Sequence, residues 1–196
     1  MDKIESSNDN LLLNYHKYLL KQSWKGDLYR QFILYPAISK RLVGKTLDVG
    51  CGIGKFLKFR SNTIGADINP YNVDYCKKRG LNAVLIQEED WPFEAESFDS
   101  ALLDNVLEHI PDPHSILNSI KKVLKSEGRL LIGVPGPVGY THDLDHKVFY
   151  TEEKLVELMK SEGFECIDNF HMPMKSQFLE NRIYQYCYYL TFTKSF

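Results

Sequence analysis

Five short, largely apolar runs punctuate the middle of this chain, separated by polar, helix-like stretches. They are Thr46–Val49, Thr63–Ala66, Ala83–Ile86, Ser100–Leu103 and Leu130–Val134. Each has the length of a strand and little of the polar alternation that a strand with one wet face requires. The intervening stretches Tyr71–Arg79 and His114–Leu124 read as helices. In the second, Ile116, Leu117, Ile120, Val123 and Leu124 share one face. Strands buried on both faces and joined by helices predict a parallel sheet with helices on either side.

The flanks extend this plan. From about Asn10 to Leu42 the chain reads as helical, interrupted near Gly26 and Pro36. Beyond Val134 a segment rich in Pro, Gly, His and Asp predicts a loop to about Tyr150. TEEKLVELMKSEGF then predicts a helix, opened by a Thr cap with acids in the first turn and stopped at Gly163. Two more strands follow, Glu165–Phe170 and Gln185–Thr193, with HMPMKSQFLENR between them as a loop or short helix. The last run, rich in tyrosine, is expected as an antiparallel closing strand at a sheet edge, where it could pair with a second copy. The expected division is a helical cap or lid over 1–43 and an α/β domain over 44–196.

Composition narrows the function classes. The chain has 196 residues, 43% hydrophobic and 26% charged, which suits one ordinary globular domain with a small appendage. A formal net charge of −2 without a long basic run gives no electrostatic support for nucleic acid or a membrane surface. No apolar run approaches the ~20 residues of a membrane span, and the polar N-terminus lacks a signal-peptide core. Cys51, Cys76, Cys166 and Cys187 form no CxxC pair, as expected of a reducing compartment. These features lead us to expect a cytoplasmic protein with no structural zinc.

The first strand runs into LDVGCGIGK, Leu47–Lys55, where glycine occupies alternate positions after an acid. Residues without side chains permit a sharp turn and let a ligand approach the backbone, and amides at a helix start favour electron-rich ligand atoms. The next strand ends at Asp67, nineteen residues after Asp48, where a carboxylate can accept two ribose hydroxyls. The pattern points to an adenosine-type ligand. The spacing is neither the dinucleotide fingerprint nor a Walker loop. Asp48 beside the turn would repel a pyrophosphate and welcome a cationic amino-acid group, which favours S-adenosylmethionine over NAD.

Taken together, LDVGCGIG, GADINP, EEDWPFEAESFD, LLDNVLEHIPDP and LKSEGRLLIGVPG, in this order from about Lys45 to Phe170, resemble the class I S-adenosylmethionine-dependent methyltransferases. The likeness is to the type 11 and ubiquinone-biosynthesis-like small-molecule group. The resemblance implies a Rossmann-like, mostly parallel sheet of seven strands with the last antiparallel. It implies that the turn of Gly50, Cys51, Gly52 and Gly54 lies under the methionine part, with Asp48 near its amino group. Asp67 would hold the ribose, with Ile68 beside the adenine. Asp90 would contact the adenine amine, Trp91 would stack on the ring, and Asn105 would lie at the methionine end. Structural alternatives stand beside these roles: Gly54 for helix packing, Asp67 for capping the next helix, Trp91 for a packed turn. Because only KFLKFRSN separates Gly54 from the next strand, the intervening helix should be short.

The reaction implied is methyl transfer from S-adenosylmethionine to a small-molecule acceptor, such as a hydroxyl on a sugar, a quinone-like ring or another polar metabolite. The alternatives are a non-catalytic module that binds the same cofactor and, further off, an NAD-dependent oxidoreductase. Candidate bases are His109, after the fourth strand, and His146 in GYTHDLDHKVFY, with Asp143 or Asp145 orienting it and Tyr140 and Tyr150 lining the pocket. Glu108 and His109 could instead be structural. For the cluster His142, Asp143, Asp145 and His146 three readings compete: a solvated loop, acid–base work, and a metal site. The sequence shows no second ligand group, so no metal is assigned.

Overall fold

The computed structural model describes residues 2–87 and 91–195, with side chains from residue 9 onward. Seven strands form one sheet: β1 Thr46–Val49, β2 Thr63–Asp67, β3 Ala83–Leu85, β4 Phe98–Asp104, β5 Leu124–Pro135, β6 Phe164–Met172 and β7 Cys187–Lys194. Their order is β3-β2-β1-β4-β5-β7-β6. Strands β1 to β5 pair in parallel, whereas β7 runs antiparallel to both β5 and β6. This is the mostly parallel seven-stranded architecture expected from the alternating pattern. The order reverses between β1 and β4, which opens a crevice at the carboxyl ends of those strands, the usual place for a ligand in such sheets.

The helices are α1 Asp2–Leu20, α2 Trp24–Tyr29, α3 Tyr35–Ser39, α4 Lys55–Phe59, α5 Pro70–Lys78, α6 His114–Val123, α7 Pro137–His142, α8 Glu152–Ser161 and α9 Gln177–Glu180. A π-helical turn, Arg30–Leu34, links α2 to α3, and a 3₁₀ turn, Leu107–His109, follows β4. The helix after the glycines is indeed abbreviated, at five residues. The segment expected as a loop after β5 contains α7. Helix α8 starts where expected, with the Thr151 hydroxyl accepting from the Lys154 amide at 3.2 Å.

Two apolar layers sandwich the sheet. On one face Leu103, Leu130, Ile132, Leu190 and Phe192 pack with Leu117 and Ile120 of α6 and with Leu155 and Met159 of α8. On the other, Leu102, Leu131 and Tyr189 pack with Leu34, Tyr35, Ile38 and Leu42. The end of the N-terminal helical segment therefore fills one layer of the core. The last strand departs from its expected place. β7 lies between β5 and β6, so its tyrosine-rich run has both edges paired and is not an edge offered to a second copy. Buried Tyr186, Tyr188 and Tyr189 need neighbours on both sides, and β6, with Ile167, Asp168 and Asn169 exposed, takes the outer position.

Helix α1 crosses the N-terminal end of α5. The Asn69 Nδ2 donates to the Leu12 carbonyl at 2.8 Å, while its Oδ1 accepts from the Tyr71 amide at 3.0 Å and so caps α5. His16 Nδ1 lies 2.8 Å from Asn72 Oδ1. One buried asparagine thus terminates a helix and fastens the segment above it. Replacing it, Asn69→Ala, is expected to cost about 0.5–2 kcal/mol of stability. Denaturant titration with limited proteolysis should show lower stability together with faster cleavage between residues 10 and 20.

Candidate functional site

The turn after β1 is built from backbone that only glycine adopts readily. Gly50, Gly52 and Gly54 have φ of +75°, +53° and +74°. The turn is tied to the neighbouring strand: the Gly50 amide donates to the Ala66 carbonyl at 2.8 Å, and the Gly52 amide donates to Asp67 Oδ2 at 2.7 Å. Asp67 Oδ1 accepts from the Asn69 amide at 2.8 Å. Burial raises the Asp67 carboxyl above its ordinary range, and these donors pull against that rise. Asp67 therefore holds the glycine turn as well as occupying the position expected to meet a ribose.

Above this turn opens a cavity of about 860 Å³. Asp48, Gly50, Cys51, Gly52 and Asn105 all line it, so the structure brings these five sequence candidates together. The Cys51 thiol packs over Gly65 of β2. Gly54 serves a different purpose, because a Cβ there would stand 2.7 Å from both Cys76 Sγ and Leu81 Cδ1. Its bareness lets α5 approach the turn, the packing role considered for it above. Ile68 is largely exposed, as a group awaiting a flat apolar partner would be. Trp91 packs against the apolar core and meets Phe93 edge-on, with its indole N–H unpartnered among the described residues. Asp90 lies outside the described residues.

Two buried carboxylates give the cavity its chemistry. Asp48 accepts no side-chain hydrogen bond among the described residues. Burial lifts its carboxyl well above the usual range, and the charges of Asp104 and Asp67 add to the rise. Asp104, at the end of β4, is raised by burial and partly restored by the Tyr189 hydroxyl, which donates to it at 2.7 Å, by Arg30 and by Asn105. Sequence reasoning passed over Asp104, although an acid closing an apolar strand was the available signal. A pair of acids with one donorless member demands a cationic ligand. A sulfonium and an ammonium on one molecule meet that demand, and the glycine turn leaves room for its backbone-hugging part, so the residues fit S-adenosylmethionine.

His109, Asp143 and His146, the candidate catalytic residues, are not among the residues that line this cavity. Tyr15 of α1 lines the cavity, and its phenol is pushed up to about 12 by burial of its hydroxyl end and by Asp67 and Asp143. Glu108 and His109 sit in the 3₁₀ turn and meet His146 from the segment after α7. One ligand atom from each lies within 4.8 Å of the others. The His109 and His146 rings are 4.7 Å apart at their centroids. Neither Asp143 nor Asp145 orients His146. Its Nδ1 donates to the Tyr140 carbonyl at 2.8 Å, and its Nε2 faces Glu108 Oε1 at 3.9 Å. The Asp143 carboxylate instead accepts from the Asp145 amide at 2.9 Å. Burial and His146 lower the His109 pKa, which favours the neutral ring that a base requires.

The carboxylates also set a pH dependence. A buried acid whose folded pKa is raised binds its proton more tightly when folded. Stability is then highest below the unfolded value, near 3.9, and falls as pH rises toward the folded value. Asp48→Asn removes that slope. The variant without ligand is expected to be more stable than the native chain at pH 8. The difference should shrink at pH 4, as denaturant midpoints at the two pH values would show.

Comparison with known proteins places this geometry. Residues 47–132 match the family model of the methyltransferase domain, type 11. An uncharacterized protein of Methanocaldococcus jannaschii is 31% identical over 135 residues, covering 63% of this chain and 66% of that one. A ubiquinone biosynthesis O-methyltransferase of Actinobacillus pleuropneumoniae is 35% identical over 101 residues, 44% of this chain and 43% of that one. A probable tRNA methyltransferase 9B of Homo sapiens is 34% identical over 92 residues, 44% and 20% of the two chains. This chain thus spans between a fifth and just under two thirds of the length of these relatives. Among solved structures, an S-adenosylmethionine-dependent methyltransferase of Thermotoga maritima, described as a possible histamine N-methyltransferase, shares the fold. Its TM-score is 0.70 at 19% identity, over 95% of this chain and 98% of that one. With the glycine turn, the acid at the end of β2 and the strand order in agreement, residues 47–132 match a methyltransferase domain and the fold is that of S-adenosylmethionine-dependent methyltransferases.

Proposed function

We propose that this protein transfers a methyl group from S-adenosylmethionine to a hydroxyl of a small molecule, such as a sugar, a quinone-like ring or another polar metabolite. The observation that carries this reading is the junction of two features. Asn105 lines an acid-floored cavity suited to the cofactor, and three residues on in the chain begins a cluster of one buried carboxylate and two half-buried imidazoles. The cofactor supplies an electrophilic methyl on a positively charged sulfur. The chain's task is then to place the acceptor and relieve its hydroxyl of a proton, the first by orientation and the second through His109 and His146. In this reading Asp143 contributes charge near His109 and Tyr15, not a hydrogen bond to His146.

Tyrosines give the remaining wall its character. Tyr29, Tyr35 and Tyr189 line the cavity, and burial pushes the Tyr29 phenol up to about 12, with Cys187 and Asp104 adding to it. Aromatic faces with hydroxyl tips suit a flat or sugar-like acceptor. Of the expected cap over 1–43, the part ahead of the core residues Leu34, Tyr35, Ile38 and Leu42 acts as the lid. Lys55 at the start of α4 donates to Gln22 at 2.8 Å and pairs with Asp27 of α2, so the helical segment is strapped to the glycine turn itself. No described helix is long and apolar enough to cross a membrane, and four free cysteines suit a reducing cytoplasm.

Incubation with methyl-labelled cofactor and fractionated cell extract tests the reading, and label is expected in a small-molecule fraction. Label in RNA would reassign the acceptor class, and cofactor binding without any transfer would make the chain a binding module. Asp67→Ala removes charge-assisted bonds to the ribose and loosens the Gly52 anchor. Calorimetry should show cofactor affinity down by about tenfold to 150-fold, the equivalent of 1.5–3 kcal/mol. His146→Ala should leave that affinity unchanged and cut transfer by about 10²–10⁴-fold. Unaltered turnover would exclude the ring from proton removal.

A further inference from the structure

Glu108 is 1% exposed, and among the described residues neither of its carboxylate oxygens has a hydrogen-bond partner. A carboxylate buried in this way is costly unless something positive meets it. Among the described residues no Lys or Arg pairs with it. What faces it is a pair of imidazoles whose orientation is informative. A carbonyl oxygen can only accept, so the 2.8 Å contact with the Tyr140 carbonyl puts the His146 proton on Nδ1. In the neutral ring, Nε2 then carries a lone pair, and it points at Glu108 Oε1 from 3.9 Å. At that distance no hydrogen bond joins the two atoms, and both remain available to a cation. The His109 ring lies against the backbone of Asp145, which favours its protonated form.

We propose that Glu108, His109 and His146 form a binding site for one divalent first-row transition-metal ion, zinc or a neighbour in the series. Two neutral imidazoles and one carboxylate are a donor set suited to such ions, and three protein ligands leave an open position for a substrate oxygen. The outer contacts conform as well: metal-ligating histidines characteristically donate their second N–H to a carbonyl or carboxylate. With metal–ligand distances of about 2.0–2.2 Å, donors of a tetrahedral ion stand roughly 3.3–3.5 Å apart. The three atoms, within 4.8 Å of each other, need to close by about an ångström, a side-chain adjustment. His142, although nearby in sequence, is exposed and stacks on Tyr184 instead.

The function of this ion rests on the transferase reading; its binding does not. A hydroxyl bound at the open position becomes more acidic and releases its proton to water. Its oxygen then bonds to the methyl carbon as the carbon–sulfur bond breaks, and that electron pair remains on sulfur. In this scheme Glu108 and the histidines act on the hydroxyl proton through the ion they hold, which replaces the direct proton removal by His109 and His146 proposed above.

The test uses the full chain, stripped with chelator and titrated with zinc and with cobalt(II). One equivalent should bind, and cobalt should develop the visible ligand-field bands of a low-coordinate nitrogen–oxygen site. Glu108→Gln and His146→Ala should each weaken binding by about tenfold or more, while His142→Ala should bind as the native chain does. Should His146→Ala fail to fold by circular dichroism, Glu108→Gln, which preserves side-chain shape, decides. Absence of saturable binding, or binding retained in Glu108→Gln, overturns the site. Calorimetry of S-adenosylmethionine on the same stripped protein separates the two readings. Cofactor binding without metal binding defeats this inference alone, whereas metal binding without cofactor binding defeats the transferase reading and leaves the site standing.

Discussion

The carboxylate of Asp67 accepts the amide proton of Gly52, and much of the site's geometry follows from that bond. It joins the end of β2 to the turn after β1, two segments that adjacent parallel strands bring side by side. The turn can take its shape only because glycines hold positive φ there. A carboxylate with both oxygens already engaged by backbone amides is rigidly placed. The same acid therefore shapes the cradle and stands where the proposed function needs a ribose acceptor.

Burying Asp48, Asp104 and Glu108 near one another strains the fold electrostatically. Each is raised by loss of water, and neighbouring carboxylates worsen it for Asp48 and Glu108. The Glu108 carboxyl reaches about 8. Only Asp104 has substantial relief, from the Tyr189 hydroxyl. That bond depends on Gly133, where a Cβ would stand 2.3 Å from the Tyr189 ring; a bare position in β5 lets the ring lie across the strand. Such an excess of buried negative charge lowers the stability of the empty protein and is offset when a cation enters. Stability is given up where binding is gained.

Much of the architecture was legible in contiguous residues. The strands β1 to β5 overlap the five apolar runs, and the Thr151 cap starts α8 where its sequence pattern places it. Boundaries drifted where tertiary pairing extends an element: β5 begins at Leu124, directly after α6, although its charged first turn reads as loop. The interior place of β7 was not legible, since tyrosine-rich β-formers suit an edge and a centre equally, and only pairing with β6 decides. At the site, Asp48, Asp67 and the glycines could be found because their spacing is itself the signal. The partner of His146 could not. Its own segment holds Asp143 and Asp145, yet the ring turns to Tyr140 and Glu108.

The sequence by itself determined the parallel sheet, the glycine turn and the acid one strand over, because alternation and backbone freedom are properties of neighbouring residues. Tertiary structure alone decided which side chains meet. It laid α1 over the turn through Asn69 and Leu12, set Asp104 beside Asp48, and brought Glu108 against an imidazole thirty-eight positions later. Those encounters depend on how loops settle at the carboxyl ends of the strands, where packing and the removal of water choose among contacts that no local pattern distinguishes.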